Sequence, residues 1–299
     1  MPRRRDNIAQ MKRRSVWRRH RPVPHPPVSR NAGDIRLVAI DLDGTLLNDS
    51  KQISLQTAKA LGCLPARGVK VVIASARPPR SVRHIYNALQ LDTLQINYNG
   101  ALIWDEPAGK AAFHRPMTGK LVRALIDAAR AQFDSVVVTC EILDRWYTDS
   151  LAQPYTTETG KLFKPDVVAS VQEICAQPIT KLVLLADPHA ITQLESTLEK
   201  AHKGKAVILR TDPQLIQIMD KRVSKAAALE MVAAHYDVPM QQVMAIGDAP
   251  NDVGMLQLAG VAVAMDNAYE IVKQTADWVA PSNNDHGVHA ALVKYGLCD

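Results

Sequence analysis

Residues 37–48 read LVAIDLDGTLLN. Four apolar residues run into Asp41 and Asp43, and Gly44-Thr45 follow directly. A short apolar run bounded by Gly33 and Gly44 predicts a strand buried on both faces. Two acids at its end need a physical reason. Side chains at i and i+2 of a strand share a face, although Gly44 lets the chain turn and redirect the second acid. Carboxylates about 4 Å apart repel by roughly 4 kcal/mol at an effective dielectric near 20. A cation, a shared proton or two unlike environments would offset that cost. A divalent ion beside one ionised and one protonated acid would create a nucleophile next to a general acid. An Asp-Gly turn is the plain alternative, and for an isolated DxDG it is the better one.

Outward from this stretch the pattern alternates. Ser54 offers an N-cap to a helix running toward Gly68, VKVVIAS (69–75) is a second buried strand, a helix follows near 79–90, and LQINYN (94–99) is a third strand. This rhythm predicts an α/β fold with a Rossmann-like parallel sheet wrapped by helices. Ligands of such sheets lie beyond the carboxyl ends of the strands, a rim shared by Asp41, Asp43 and Ser75. The middle reads differently: ALIWD and AAFHR flank a hairpin turn, then come a helix (118–132), DSVVVTCE, RWYTDS, TKLVLLA, a helix (189–201) and AVILRTD. That mixture predicts an α+β domain inserted at 117–211. LIQIMD, a helix from Ser224, VMAIGD (243–248), a helix from Asn251, VAVAM, WVAP and a last helix resume the first rhythm. The expected division is a tail at 1–33, core at 34–116 and 212–299, and the insert between.

A chain of 299 residues with 47% hydrophobic and 22% charged residues belongs to the globular class. Its net charge of +6 is local: residues 1–33 carry ten Lys and Arg against one Asp, leaving −3 for the other 266 residues. The body is mildly acidic, so the basic pI belongs to the tail and nucleic acid is not expected as a partner of the body. The tail ends Pro-rich and lacks helical apolar periodicity, so it is expected to be disordered, or to precede a start at Met11. No hydrophobic segment follows its arginines as a secretion signal would require. An arm that contacts nucleic acid or anionic lipid is the competing reading. No run approaches the roughly 18 apolar residues of a membrane span. Cys63, Cys140, Cys175 and Cys298 form no CxxC pair, which points to free thiols in a reducing cytoplasm.

VMAIGDAPND repeats the theme of an apolar strand ending in acids, Asp248 and Asp252, with Asn251 between them. Helix capping would explain either acid alone. Two acid-ended strands in one parallel sheet, with no His or Cys among them, instead make an oxygen-ligand site that favours Mg²⁺ over zinc. Lys225 follows the N-cap residue Ser224, where a cation opposes the helix dipole at a cost of about 0.3–1 kcal/mol. An anionic partner explains it, and an exposed lysine tolerating the penalty is the bland alternative. Ser75 can offer a hydroxyl and a backbone N–H to the same anion, or be an ordinary turn residue.

DLDGTLL (41–47), Ser75 in VVIASARP, NYNGALI (97–103), Lys225 in VSKAAAL and AIGDAPND (245–252) together resemble, in order, the motifs of the haloacid dehalogenase (HAD) superfamily. The stretch VAVAMDNAYEIVKQTADWVAPSNNDHGV is similar to Cof-type phosphatases of subfamily IIB, which insert a large α/β cap between the second and third motifs. The resemblance covers the chain from about residue 35. It implies a Mg²⁺-dependent phosphatase of small phosphorylated metabolites, with sugar phosphates the modal substrates. Asp41 would attack phosphorus to form an aspartyl-phosphate, and Asp43 would serve as acid and base. Asp41, the backbone carbonyl of Asp43, and Asp248 would hold the metal, with Asp252 ligating or supporting it. Ser75, Asn251 and Lys225 would bind phosphoryl oxygens. Ala76, Ala226, Ala249 and Asp266 stand where relatives often have Gly, so a requirement for positive φ at any of them would strain its loop. The rival readings are a phosphomutase on the same scaffold and a non-catalytic module whose basic tail contacts nucleic acid.

Overall fold

The computed structural model describes residues 35–151, 155 and 158–299. The tail expected to be disordered, 1–33, lies outside the described residues. In chain order the core begins with β1 (Leu37–Ile40), α1 (Leu55–Cys63), β2 (Lys70–Ile73), α2 (Pro79–Ala88), β3 (Gln95–Asn97), β4 (Leu102–Asp105) and β5 (Lys110–His114). The insert carries α3 (Gly119–Gln132), β6 (Val137–Ile142), β7 (Arg145–Thr148), α4 (Glu158–Leu162), β8 (Val167–Val168), α5 (Val171–Cys175), β9 (Lys181–Leu185), α6 (Pro188–Ala201), β10 (Ala206–Asp212) and β11 (Leu215–Asp220). The chain then returns through α7 (Lys225–His235), β12 (Val243–Gly247), α8 (Val253–Leu258), β13 (Val261–Met265), α9 (Glu270–Lys273), β14 (Trp278–Ala280) and α10 (Gly287–Lys294).

The core sheet is parallel, in the order β14-β13-β12-β1-β2. Its two faces differ in side-chain size. Val38, Ile40, Val71, Ile73, Met244, Ile246 and Val263 pack with α1, α2 and α10. Ala39, Ala74, Ala245, Ala262 and Ala264 pack on the opposite face with Ala228, Leu229, Val232 and Ala233 of α7 and with α8. Small residues on both sides of the second interface let α7 approach the sheet closely, since interaxial distance follows the contact side chains. The consequence is functional: the first turn of α7 comes against the ends of β1 and β12.

The inserted cap is a six-stranded sheet, β10-β11-β9-β6-β7-β8, covered on one face by α3 and α6. Here one boundary needs correction. LIQIMD, assigned from sequence to the returning core at 212, is β11, which pairs antiparallel with both β9 and β10. The cap sheet therefore runs to Asp220. A buried apolar strand has the same signature in either sheet, so periodicity cannot say which one it joins. LQINYN, for its part, extends the parallel sheet by no more than a single parallel bridge. It yields β3, which touches β2 through one bridge, Ala74 to Ile96, and pairs antiparallel with β4. Tyr98 and Asn99, both at positive φ, and then Gly100 turn the chain back at once. The helix expected from Asn251 starts as a 3₁₀ turn, Pro250–Asp252, before α8.

Candidate active site

β1 and β12 are neighbours in register, with Ile40 beside Ile246, so the acids that follow them emerge side by side. Asp41, Asp248 and Asp252 each present an oxygen within 4.8 Å of the others, and all three are buried. Two glycines make room for them. A Cβ on Gly44, at φ +87°, would sit 2.5 Å from Asp248 Oδ2, and one on Gly247 would sit 2.6 Å from the Asp252 carboxyl carbon. Thr45 Oγ1 donates to Asp248 Oδ1 at 2.9 Å. Asp252 Oδ2 accepts the backbone N–H groups of Asp248 and Ala249 at 3.1 and 3.0 Å, which fixes the loop after β12.

Lys225 is 1% exposed, so the reading of a surface lysine does not hold. The Ser224 hydroxyl caps α7 by accepting from Ala227 N at 3.1 Å. From that turn Lys225 Nζ donates to Asp41 Oδ1 and, at 2.7 Å, to Asp252 Oδ1. Three buried carboxylates thus face one ammonium, and full ionisation leaves two negative charges uncompensated. The titration directions express that imbalance. Burial, opposed by Lys225 but reinforced by the neighbouring carboxylates, pushes Asp41 well up. Burial also raises Asp248, to about 6, against the hydrogen bond from Thr45. Lys225 is raised, its two carboxylate partners overcoming desolvation.

Asp43 takes a different place. Its carboxylate lies outside the cluster, in a bidentate pair with Arg77 (Nε to Oδ2 2.7 Å, Nη2 to Oδ1 2.6 Å) and in contact with Lys51 Nζ at 2.7 Å. Partial burial raises its pKa, but the hydrogen bonds from Arg77 and Lys51 outweigh that and hold it below the usual carboxylate range. The Gly44 turn has separated the two acids, which is the third way of relieving their repulsion.

Ser75 follows the end of β2 by two residues on the same rim, with one correction. Its backbone N–H, expected to face an anion, donates to Ile96 O at 2.8 Å because β3 docks there. Its hydroxyl accepts from Arg77 N at 3.1 Å and keeps its own proton to give. Asn251 Nδ2 donates to Asn99 Oδ1 at 2.9 Å, which ties the β12 loop to the left-handed turn at 98–100. In that turn a Cβ on Gly100, at φ +98°, would collide with the Ser224 carbonyl. The four positions where relatives often have Gly carry no strain: Ala76, Ala226, Ala249 and Asp266 are absent from the positive-φ residues, and Ala249 is extended at φ −110°.

Thr45, Arg77, Lys51 and Asn99 are site residues that the sequence reading missed. Thr45 and Arg77 lay inside quoted motifs, so their place beside an acid and a serine was the available signal. Asn99, before Gly100 in NYNGALI, carried the signal of a left-handed turn, whereas Lys51 reaches the site through left-handed backbone that its sequence does not announce. The donor set suits a hard divalent cation: carboxylate oxygens only, uncompensated negative charge, and no His or Cys.

Comparison with known proteins points to one family. The model of haloacid dehalogenase-like hydrolases matches residues 38–292. Two Bacillus subtilis (strain 168) proteins, both 5-amino-6-(5-phospho-D-ribitylamino)uracil phosphatases, are similar along nearly their full length. YitU is 29% identical over 87% of this chain and 97% of its own, and YcsE is 30% identical over 89% of this chain and 97% of its own. A solved haloacid dehalogenase-like hydrolase from Bacteroides thetaiotaomicron superposes with a TM-score of 0.79 at 26% identity, covering 87% of this chain and 99% of that one. The matched span takes in β1 with its acids, the cap, Lys225 and the β12 acids, and the chain belongs to the haloacid dehalogenase-like hydrolases.

Proposed function

We propose that this hydrolase is a Mg²⁺-dependent phosphatase of small phosphate monoesters, with phosphorylated sugars and polyols as the substrate class. The observation that carries the reading is the Asp41–Lys225–Asp252 arrangement beside Asp248. An anionic nucleophile attacks an anionic phosphoryl group only where fixed positive charge faces both. Lys225 supplies one such charge. Asp41 and Asp248 would hold Mg²⁺, with Asp252 orienting them through Lys225 and the loop amides. The ion, when bound, neutralises the carboxylates and polarises a phosphoryl oxygen.

In the first step an Asp41 carboxylate oxygen bonds to phosphorus as the ester P–O bond breaks, and the leaving oxygen takes a proton from Asp43. In the second, water gives its proton to the Asp43 carboxylate and attacks phosphorus. The bond from phosphorus to Asp41 breaks, releasing inorganic phosphate. Ser75, Asn251 and Lys225 would donate to the phosphoryl oxygens. Arg77 and Lys51 oppose protonation of Asp43, so its acid role requires that this clamp loosen when the ester is bound. The relatives' ribityl phosphate substrate supports the polyol class.

The test is phosphate release from a panel of phosphorylated metabolites, with Mg²⁺ and with EDTA, by wild type and Asp41→Asn. Release that requires both Mg²⁺ and Asp41 is expected. Release unaffected by Asp41→Asn would sink the reading. A phosphomutase would instead need a sugar acceptor.

A further inference from the structure

Outside the carboxylate cluster, and among the described residues, the buried guanidinium of Arg80 is left incompletely satisfied where core meets cap. On the cap sheet Glu141 stands directly opposite Lys181 on one side and Trp146 on the other. The core residue Tyr98 meets this row: its hydroxyl lies 3.2 Å from Glu141 Oε2, and the Lys181 ammonium sits 5.0 Å from its ring centroid. Arg80 enters from the first turn of α2. Its Nη2 donates to Glu141 Oε1 at 2.8 Å, and its guanidinium lies 5.7 Å from the Phe163 ring centroid. The side chain is 9% exposed, yet Nε and Nη1 have no hydrogen-bond partner. Asp144 Oδ1, 3.6 Å from Nη1, accepts instead from the Arg80 backbone N–H at 2.8 Å.

A buried donor without an acceptor costs about 1–3 kcal/mol. A structural tie between cap and core needs only Nη2, so Nε, and Nη1 with no more than its 3.6 Å ion pair to Asp144, are enclosed donors free to meet a ligand admitted when cap and core separate. Its location is apt. Arg80 lies three residues beyond Arg77, which holds Asp43. Tyr98 adjoins Asn99, which bonds Asn251 at the phosphoryl end of the site. Arg80 reaches Glu141 of the cap sheet, so an ester spanning from Asp41 to Arg80 would run from the core rim toward the cap.

We propose that Arg80 recognises the leaving group: Nε and Nη1 donate to hydroxyl or carbonyl oxygens of a polyhydroxylated chain whose phosphoryl group is seated at Asp41. The proposal rests on the phosphatase reading. A site built to hydrogen-bond a substrate oxygen discriminates strongly against an analogue that lacks it, because its buried donors are then left idle.

The experiment measures kcat/KM with Mg²⁺ for ribitol 5-phosphate and 1-pentyl phosphate, which share a five-carbon chain and differ in hydroxyls. Wild type, Arg80→Lys and Arg80→Met are compared. Bonds from a charged donor correspond to a preference for the alditol ester on the order of 10- to 100-fold each. Both variants should lose at least about tenfold of that preference, including Arg80→Lys, which keeps a cation for Glu141 but lacks the planar fork. If Arg80→Met does not fold, Arg80→Lys decides. A wild-type selectivity ratio in Arg80→Lys, or equal use of both esters by wild type, overturns the proposal while leaving the phosphatase reading intact. If wild type releases no Asp41-dependent phosphate from either ester or from the metabolite panel, the phosphatase reading itself fails and this one with it.

Discussion

Lys225→Met removes the ammonium set between Asp41 and Asp252 while keeping a side chain of similar length. Nζ lies 2.7 Å from Asp252 Oδ1 and also bonds Asp41. At an effective dielectric of 20, unit charges that close attract by about 6 kcal/mol, much of it offset by desolvation. Cutting one partner from a buried ion pair typically costs about 3–5 kcal/mol, and that is the expected drop in unfolding free energy at pH 7.5 in EDTA. The pH dependence is the sharper test. Burial and neighbouring carboxylates raise Asp248 to about 6 and Asp41 well above its ordinary value. A carboxyl with a raised folded pKa binds its proton more tightly folded than unfolded. It therefore adds stability that is fully present below the unfolded value of 3.8 and lost as pH rises past about 6. Without Lys225 these carboxyls rise further, so the deficit of the variant should be largest at pH 7.5 and shrink at pH 5. Urea unfolding at the two pH values in EDTA measures it. A variant as stable as wild type at pH 7.5, or an equal deficit at both pH values, would refute the reasoning.

Thr45→Val deletes the hydroxyl that donates to Asp248; Mg²⁺ affinity by calorimetry should fall about 10- to 100-fold, as for other residues that orient metal ligands. Gly100→Ala places a methyl group against the Ser224 carbonyl at φ +98°; we expect a loss of about 1–3 kcal/mol from the strained backbone, with a larger fall in kcat than that loss alone produces, because Ser224 starts the helix that carries Lys225. Arg77→Gln removes the bidentate partner that keeps Asp43 low against the effect of burial; the Asp43 carboxyl should rise, moving the basic limb of the kcat–pH profile upward, and an unmoved limb would disconnect Arg77 from the acid.

Much of this architecture was legible because it rests on short-range rules. The strands LVAI, VVI, VMAIG and VAVAM are apolar throughout, as a parallel sheet covered on both faces requires, and each is a core strand. Lys225 could be singled out because a cation in the first turn of a helix contradicts the dipole. What the sequence hid was tertiary. Nothing in LIQIMD marks it for the cap sheet rather than the core sheet, since both offer a buried strand position. The pairing of Asp43 with Arg77 and Lys51 depends on the Gly44 turn and on Lys51 at φ +59°. Arg80 and Glu141 are 61 residues apart, and each alone reads as a surface charge.

Scaffold and site are built on different terms. The two core faces are packed from matched apolar layers, and helix starts are capped in the ordinary way by Ser54, Thr118, Ser170, Asp187 and Ser224. Conflict gathers elsewhere: three buried acids against one lysine, a lysine at the positive end of a helix, left-handed backbone at Tyr98 and Asn99, and two idle donors on Arg80. A sequence optimised only to fold would remove each of these. They are joined by contacts that lead from the ends of β1 and β12 through the 98–100 turn to the cap. On the proposed reading a phosphate ester would bring oxygen acceptors to Arg80. The uncompensated carboxylates require the opposite, a cation that arrives independently of the substrate. A divalent cation alone cancels the two charges that Lys225 leaves over, whereas an anionic ester alone would add to them, so on this reading the cation must be in place before the ester binds.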